Sequence, residues 1–404
     1  MSSLRDKLKG YGTGAAKKAA PQPEKKEADC YRVFDRTDRI RYQLPELFRA
    51  GSLEAASGLK TDRDIPLERV LFLDTETTGL SGGAGTIAFL TGMGYFEGDA
   101  FIVEQDLMRD YDEEPAMLKR IAELLERTDL LVTFNGRTFD MPLLESRMIM
   151  NGRRLKSGIP HLDLLHASRA VWKLRLKRCS LSALEQAVLG IVRQDDMPGS
   201  EVPKTYFEYL KTGHFPLIEP ILEHNCQDIR SLPLLMSRLI RFFTAPDQAE
   251  DQRDIYSAGR ALEKRGYTEQ ARRCYRAADA GTVSALSRLK LADSHRRTME
   301  FGEAATIYER MIGTGQGNVN VLTRLAILYE HRLNRLPDAL RLTERAMLLT
   351  NDNDEMAALD KRRSRLIKRM ERMRSSYGTD GHDQGKESAG VAPEGRSRPG
   401  AGRL

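Results

Sequence analysis

The stretch Val70–Glu76, VLFLDTE, constrains this chain more than any other. Its unbroken apolar run reads as a strand buried on both faces, the kind found in a sheet covered by helices. The run ends in Asp74 and Glu76. Side chains two apart on a strand point the same way, so both carboxylates leave one face at the strand's end. Like charges held that close repel unless a cation lies between them. Mg²⁺ or Mn²⁺, which take oxygen ligands, suit such a pair. By itself Asp-x-Glu is a weak signal, because surface strands carry such pairs often.

The surrounding pattern supports a sheet. TIAFLTGMGYF and DAFIVEQDLM are strands joined by a hairpin around Glu97-Gly98-Asp99. PAMLKRIAELLER is a helix from Pro115, with Asp112, Glu113 and Glu114 at its positive end. LLVTFN is a further strand, DMPLLESRMIMNG a helix closed by Gly152, and HLDLL a short strand. From His166 to Leu239 the chain reads mostly helical. Paired strands followed by strands alternating with helices indicate an α/β domain with a mixed sheet over 70–244.

A chain of 404 residues has room for two or three domains. Residues 1–30 are rich in Lys, Ala, Gly and Pro and read as a disordered basic tail; 31–69 form an N-terminal extension. Residues 375–404, rich in Gly, Ser, Pro and Arg, read as a second disordered tail. The formal net charge of +6 fits a polyanionic partner and equally a solvated basic surface. Cys30, Cys179, Cys226 and Cys274 are far apart, without a Cys-x-x-Cys pair, which argues against a zinc ribbon or a disulfide framework and fits a reducing cytoplasm. No run is long and apolar enough to cross a membrane, and the N-terminus lacks the apolar core of a secretory signal.

Residues 254–350 repeat. Ala271, Ala304 and Ala339 fall at intervals of 33 (304 − 271) and 35 (339 − 304); Tyr275 and Tyr308 follow the first two at the same spacing, and Ala278 and Ala346 the first and third. Small residues let paired helices approach and an aromatic fills the gap between pairs, as in an all-α tetratricopeptide-like array with a period of about 34. Such an array offers a concave surface to a protein partner, or serves only as a cap on the preceding domain.

Two further acids stand out. Asp140 in TFNGRTFDMPLL follows a strand and opens a helix, where it serves as an N-cap or as a ligand. Asn135 ends that strand, orienting a ligand or forming a turn. Asp228 in ILEHNCQDIRSLPLL lies among apolar helix positions, where a buried acid needs a partner. His224, four residues earlier, shares its face.

In order, Asp-x-Glu, Asn…Phe-Asp and a late His before Asp resemble the DEDD exonucleases of the ribonuclease H-like fold. DTETTGLSGG, FNGRTFDMPLLESR, HLDLLHASR, CSLSALEQAVLGI, DDMPGSEVPKTYFEYL and EHNCQDIRSLPLL are similar to the YprB-like branch of that superfamily. The resemblance implies a metal-dependent 3′–5′ exonuclease acting on DNA or RNA. Asp74, Glu76, Asp140 and Asp228 would hold two Mg²⁺ or Mn²⁺ ions, and His224 would be the general base. In the His subclass the base stands one residue further from the final Asp, so the base assignment stays open. Asp163 and His161 fit the family pattern as supporting residues.

SGGAGT lacks the GK[ST] ending of a nucleotide-triphosphate loop. Backbone at Thr77, Thr78 and Gly79 either approaches the terminal nucleotide or is a Gly-rich strand exit. Arg169, Lys173, Arg175, Lys177 and Arg178 surround Trp172. The basic residues suit single-stranded nucleic acid, while Trp172 is expected in the core. The competing readings are a non-catalytic adaptor built on the repeats and a structure-specific endonuclease. Four converging acids argue against the adaptor.

Overall fold

The computed structural model describes residues 29–79, 85–194 and 196–378. The tail readings at 1–30 and 375–404 fall outside these residues, apart from Asp29, Cys30 and the last helical turn before Thr379, and so does the Gly-rich run Leu80–Ala84. The chain divides into two compact units between Lys290 and Leu291.

The first unit is built on a six-stranded mixed sheet. In chain order its strands are β1 (Tyr31–Asp38), β4 (Val70–Thr77), β5 (Ala88–Glu97), β6 (Ala100–Leu107), β7 (Leu130–Thr133) and β8 (His161–Asp163). The short β2 (Leu47–Phe48) and β3 (Ile65–Pro66) pair separately. Across the main sheet the order is β1-β6-β5-β4-β7-β8. β1, β6, β5 and β4 run antiparallel to their neighbours, whereas β4, β7 and β8 are parallel. The apolar run is therefore the central strand, with Val70, Leu71, Phe72 and Leu73 buried. The β5–β6 hairpin turns at Gly98, whose φ of 56° is left-handed and costs glycine nothing.

Helices cover the sheet. They are α1 (Ala50–Ser57), α2 (Glu114–Glu126), α3 (Asp140–Met150), α4 (Leu164–Leu176), the short α5 (Leu181–Leu184), α6 (Val202–Thr212) and the long α7 (Glu219–Thr244). α2 and α3 make the crossovers to β7 and β8 that parallel strands require. α6 is fixed by Tyr206, whose ring stacks on Phe89 at 3.7 Å and whose hydroxyl donates to Met108 O.

β1 lies in the span read as an N-terminal extension and completes the sheet edge. Its sequence, YRVFDRTD, is half charged, and Val33-Phe34 is its longest aliphatic or aromatic stretch free of polar groups. It pairs with β6 over its full length, and Arg32 adds a bond from Nε to Asp106 Oδ1 at 2.6 Å on buried β6.

The seating of α7 decides where the site forms. α7 lies on β5 at Gly92 and Gly94, where added Cβ atoms would come within 2.7 Å of Ile229, and the one at Gly92 would also collide with Asn225 Oδ1. Glycine at these positions allows an approach closer than alanine permits.

Helices continue with α8 (Gln252–Lys264), α9 (Thr268–Ala277), α10 (Ser284–Arg297), α11 (Phe301–Gly313), α12 (Val319–His331), α13 (Leu336–Met347) and α14 (Asn353–Gly378). The repeat alanines Ala271, Ala304 and Ala339 are buried and occupy the fourth position of α9, α11 and α13. Tyr275 and Tyr308 are buried as well. In the second unit Tyr308 donates to Asp293 at 2.7 Å, and buried Glu330 is held by Arg362 and Arg365.

Gly92→Ala is expected to lower stability by about 1–3 kcal/mol through overpacking, read as a drop in the urea midpoint. An unchanged midpoint would mean that α7 does not rest on that strand.

Candidate active site

Asp74 and Glu76 project from the same face near the end of β4, and α7 brings His224, Asn225 and Asp228 over them. Asn225 is fully buried, donates from Nδ2 to Asp74 Oδ2 at 3.0 Å, and accepts from Gln105 Nε2 at 2.9 Å. Gln105 also donates to Leu222 O, tying β6 to α7. Asp140 opens α3 without capping it. Its carboxylate instead accepts a hydrogen bond from Thr75 Oγ1 on the intervening strand position.

Of the expected residues, Glu76, His224 and Asp228 lie closest together, and Asp74 feels the charges of Asp228, Asp140 and Glu76. His224 Nε2 lies 3.8 Å from Glu76 Oε1 and 3.7 Å from Asp228 Oδ2. One ligand atom each from Glu76, His224 and Asp228 lie within 4.8 Å of one another, a spacing one divalent ion can span. The site opens at the carboxyl ends of parallel strands, where ligands of open α/β sheets bind.

The electrostatics follow from crowding. Burial raises Asp74 well above the ordinary carboxylate range, and Asp228, Asp140 and Glu76 add to it, while the Asn225 amide works the other way. Burial lifts Glu76 to about 7, opposed by His224. Burial lifts Asp140 to about 6, opposed by the Thr75 hydroxyl. Asp228 is raised by burial and pulled back by the Arg193 guanidinium and by His224. For His224, burial favours the neutral ring, but Asp228, Asp196 and Glu76 outweigh it and raise the pKa. Carboxylate oxygens in excess of the positive charge beside them fit a hard divalent cation.

Beside this cluster lies a network that sequence reasoning missed. Glu185 is fully buried in a single π-helical turn and accepts from Arg193 Nε at 2.6 Å and Nη2 at 2.7 Å. Ser231 Oγ on α7 also donates to Glu185. Arg193 Nη2 reaches Asp228 Oδ1, and Nη1 lies 3.2 Å from Asp196 Oδ2. An acid amid the apolar positions of CSLSALEQAVLGI was the available signal for Glu185, the same signal that marked Asp228. Nothing in the sequence singles out Arg193.

Asp163 has a supporting role: it accepts from the backbone N–H groups of Asn135 at 2.9 Å and Leu165 at 3.0 Å. This fixes Asn135 in a left-handed conformation, φ 67°, with its side chain exposed. His161 Nε2 bonds Thr133 Oγ1 at 2.8 Å, and burial lowers its pKa to about 4. Thr77 Oγ1 donates to Gly79 O, and the Thr78 N–H is taken by Ile87 O. The Thr78 amide therefore already has a partner.

The basic residues stand apart from the carboxylates. Arg169, Lys173, Lys177 and Arg178 are exposed along and just beyond α4. Arg175 is engaged by Asp254 at 2.8 Å. Trp172 is core, edge-on to Phe242. At about 1.5 Å per residue, the helix carries the last of these charges roughly 20 Å from its Asp163 cap.

A family profile described as RNase_H superfamily matches residues 71–240. These residues carry the mixed sheet and covering helices of a ribonuclease H-like fold, a nuclease-type fold of a kind that generally uses divalent metals. The chain is 28% identical over 346 residues to the uncharacterized protein YprB of Bacillus subtilis (strain 168), covering 83% of this chain and 82% of that one. Among solved structures it is similar to the family B DNA polymerase from the hyperthermophilic archaeon Pyrobaculum calidifontis, with 14% identity and a TM-score of 0.36 over 59% of this chain; it spans 30% of the polymerase chain. No helix among the described residues is long and apolar enough to cross a membrane.

The raised carboxyls fix the pH dependence of the metal-free protein. A carboxyl with a raised folded pKa binds its proton more tightly when folded, so its stabilisation is full at low pH and is lost as pH rises through the folded value. For Glu76 that window runs from the ordinary 4.5 to about 7. In chelator the melting temperature is expected to fall as pH rises across this window, and Mn²⁺ to restore it. Equal melting curves with and without Mn²⁺ at alkaline pH would contradict the assignment.

Proposed function

We propose that this chain hydrolyses phosphodiester bonds of DNA or RNA, acting from the 3′ end with two Mg²⁺ or Mn²⁺ ions held by Asp74, Glu76, Asp140 and Asp228. One observation carries the reading: buried carboxylates from β4, α3 and α7 gather near the end of a central strand, close enough for their charges to act on Asp74. A protein that only binds has no need to hold four mutually repelling acids together.

Bound divalent ions supply Lewis-acid stabilisation of the developing charge on the phosphodiester oxygens. The chain's residues do the rest. Asn225 and Thr75 orient the Asp74 and Asp140 carboxylates. His224 presents Nε2 to the space between Glu76 and Asp228, where it can accept a proton from the attacking water. The exposed cations Arg169, Lys173, Lys177 and Arg178 contact the phosphate backbone of a single strand, with Asn135 and the Thr77–Gly79 strand exit nearer the terminal nucleotide. The buried alanines at matching helix positions support a tetratricopeptide-like array, which offers its surface to a protein partner. Four free cysteines, three of them buried, suit a reducing cytoplasm.

The test is digestion of 3′- and 5′-labelled single-stranded DNA and RNA with Mg²⁺ or Mn²⁺. Stepwise shortening from the 3′ end, absent in chelator and in Asp74→Ala, is the expected result. Internal fragments would indicate an endonuclease. Binding without cleavage of any substrate would favour the adaptor. His224→Ala is expected to lower turnover by about 10²–10⁴-fold while Mn²⁺ binding survives. Replacing Arg169, Lys173, Lys177 and Arg178 by Gln should flatten the dependence of log affinity on log salt by about 0.7 for each phosphate left without its cation. An unchanged slope would remove them from the interface.

A further inference from the structure

We infer that Asp196, clamped by Arg193, is a positioning residue that fixes the tautomer and aim of His224. The inference rests on the proposed role of His224 as base. Asp196 lies in the loop between the π-helical turn and α6, and its Oδ1 accepts a hydrogen bond from His224 Nδ1 at 2.6 Å. A carboxylate only accepts, so in the neutral ring Nδ1 carries the proton and Nε2 is left with its lone pair. That lone pair faces Glu76 and Asp228 at 3.8 and 3.7 Å, too far for a hydrogen bond, across a space where a water can sit.

Asp196 is itself held. Arg193 Nη1 lies 3.2 Å from Asp196 Oδ2, and the guanidinium is locked by its two-pronged contact with fully buried Glu185. The Arg193 Nη1 to His224 Nδ1 distance of 3.4 Å is the longer of the two approaches to that nitrogen, which is already paired with Asp196. The chain Glu185–Arg193–Asp196–His224 thus runs from the core to the ring and ends on an unpaired nitrogen. This is the arrangement in which a base is oriented by a third group. Asp196 is 28% exposed at its side chain, so its replacement leaves the core intact.

Two measurements on the full chain separate this inference from the reading it rests on. The first is ¹⁵N NMR of histidine-labelled protein at alkaline pH in chelator, with His224 assigned by the His224→Gln variant. Wild type is expected to show protonated Nδ1 and bare Nε2, and Asp196→Asn a mixed or reversed tautomer. This readout stands even if no substrate is cleaved, an outcome that would count against the nuclease and not against the positioning. The second is kinetic. Asp196→Asn is expected to lower kcat by about 10²-fold, with KM, Mn²⁺ affinity and melting temperature near wild type, and Asp196→Glu to recover part of the loss. A wild-type ring protonated at Nε2, a tautomer unchanged in Asp196→Asn, or kcat unchanged in an active enzyme would each overturn the proposal.

Discussion

Repulsion among Asp74, Glu76, Asp140 and Asp228 is the constraint around which the first unit is organised. Burial and neighbouring charges push all four carboxyls upward. The chain offsets part of this with neutral donors, Asn225 on Asp74 and Thr75 on Asp140, and part with one cation, Arg193 on Asp228. Arg193 is also committed to Glu185, so it does not neutralise the cluster alone. The remaining negative charge suits a divalent ion, which is the use the proposed phosphodiesterase would make of it.

Holding these groups together depends on backbone as much as on side chains. The bare faces of Gly92 and Gly94 let α7 descend onto β5, and the same descent lets Asn225 reach Asp74. Gln105, buried on the next strand, holds that amide and ties α7 to β6. A shift of this helix would move His224 and Asp228 together, because they stand one turn apart.

How much of this was legible in the sequence varied with the range of the interaction. β4, the β5–β6 hairpin and the crossover helices were readable because their periodicity and turn residues are local. The acids were readable because each breaks an apolar pattern, at the end of VLFLDTE, before MPLL, and within the α7 stripe. β1 was not, since its charged sequence gives little strand signal and its partners, such as Asp106 for Arg32, lie 74 residues along the chain. Asn225 reads as an ordinary helix polar residue until Gly92 and Gln105 are seen beneath it. Arg193 and Asp196 sit in a loop, and their partners come from separate elements. The repeat alanines were visible through their spacing, and they lie buried at the fourth position of α9, α11 and α13.

The measurement that bears most directly on this account is titration of the chelator-treated full chain with Mn²⁺, followed by electron paramagnetic resonance and repeated on Asp74→Asn. The account expects saturable binding of two ions per chain with mutually coupled spectra, and disappearance of that coupled signal in the variant. An absence of saturable Mn²⁺ binding, or binding that Asp74→Asn leaves untouched, would contradict the claim that these carboxylates exist to hold metal.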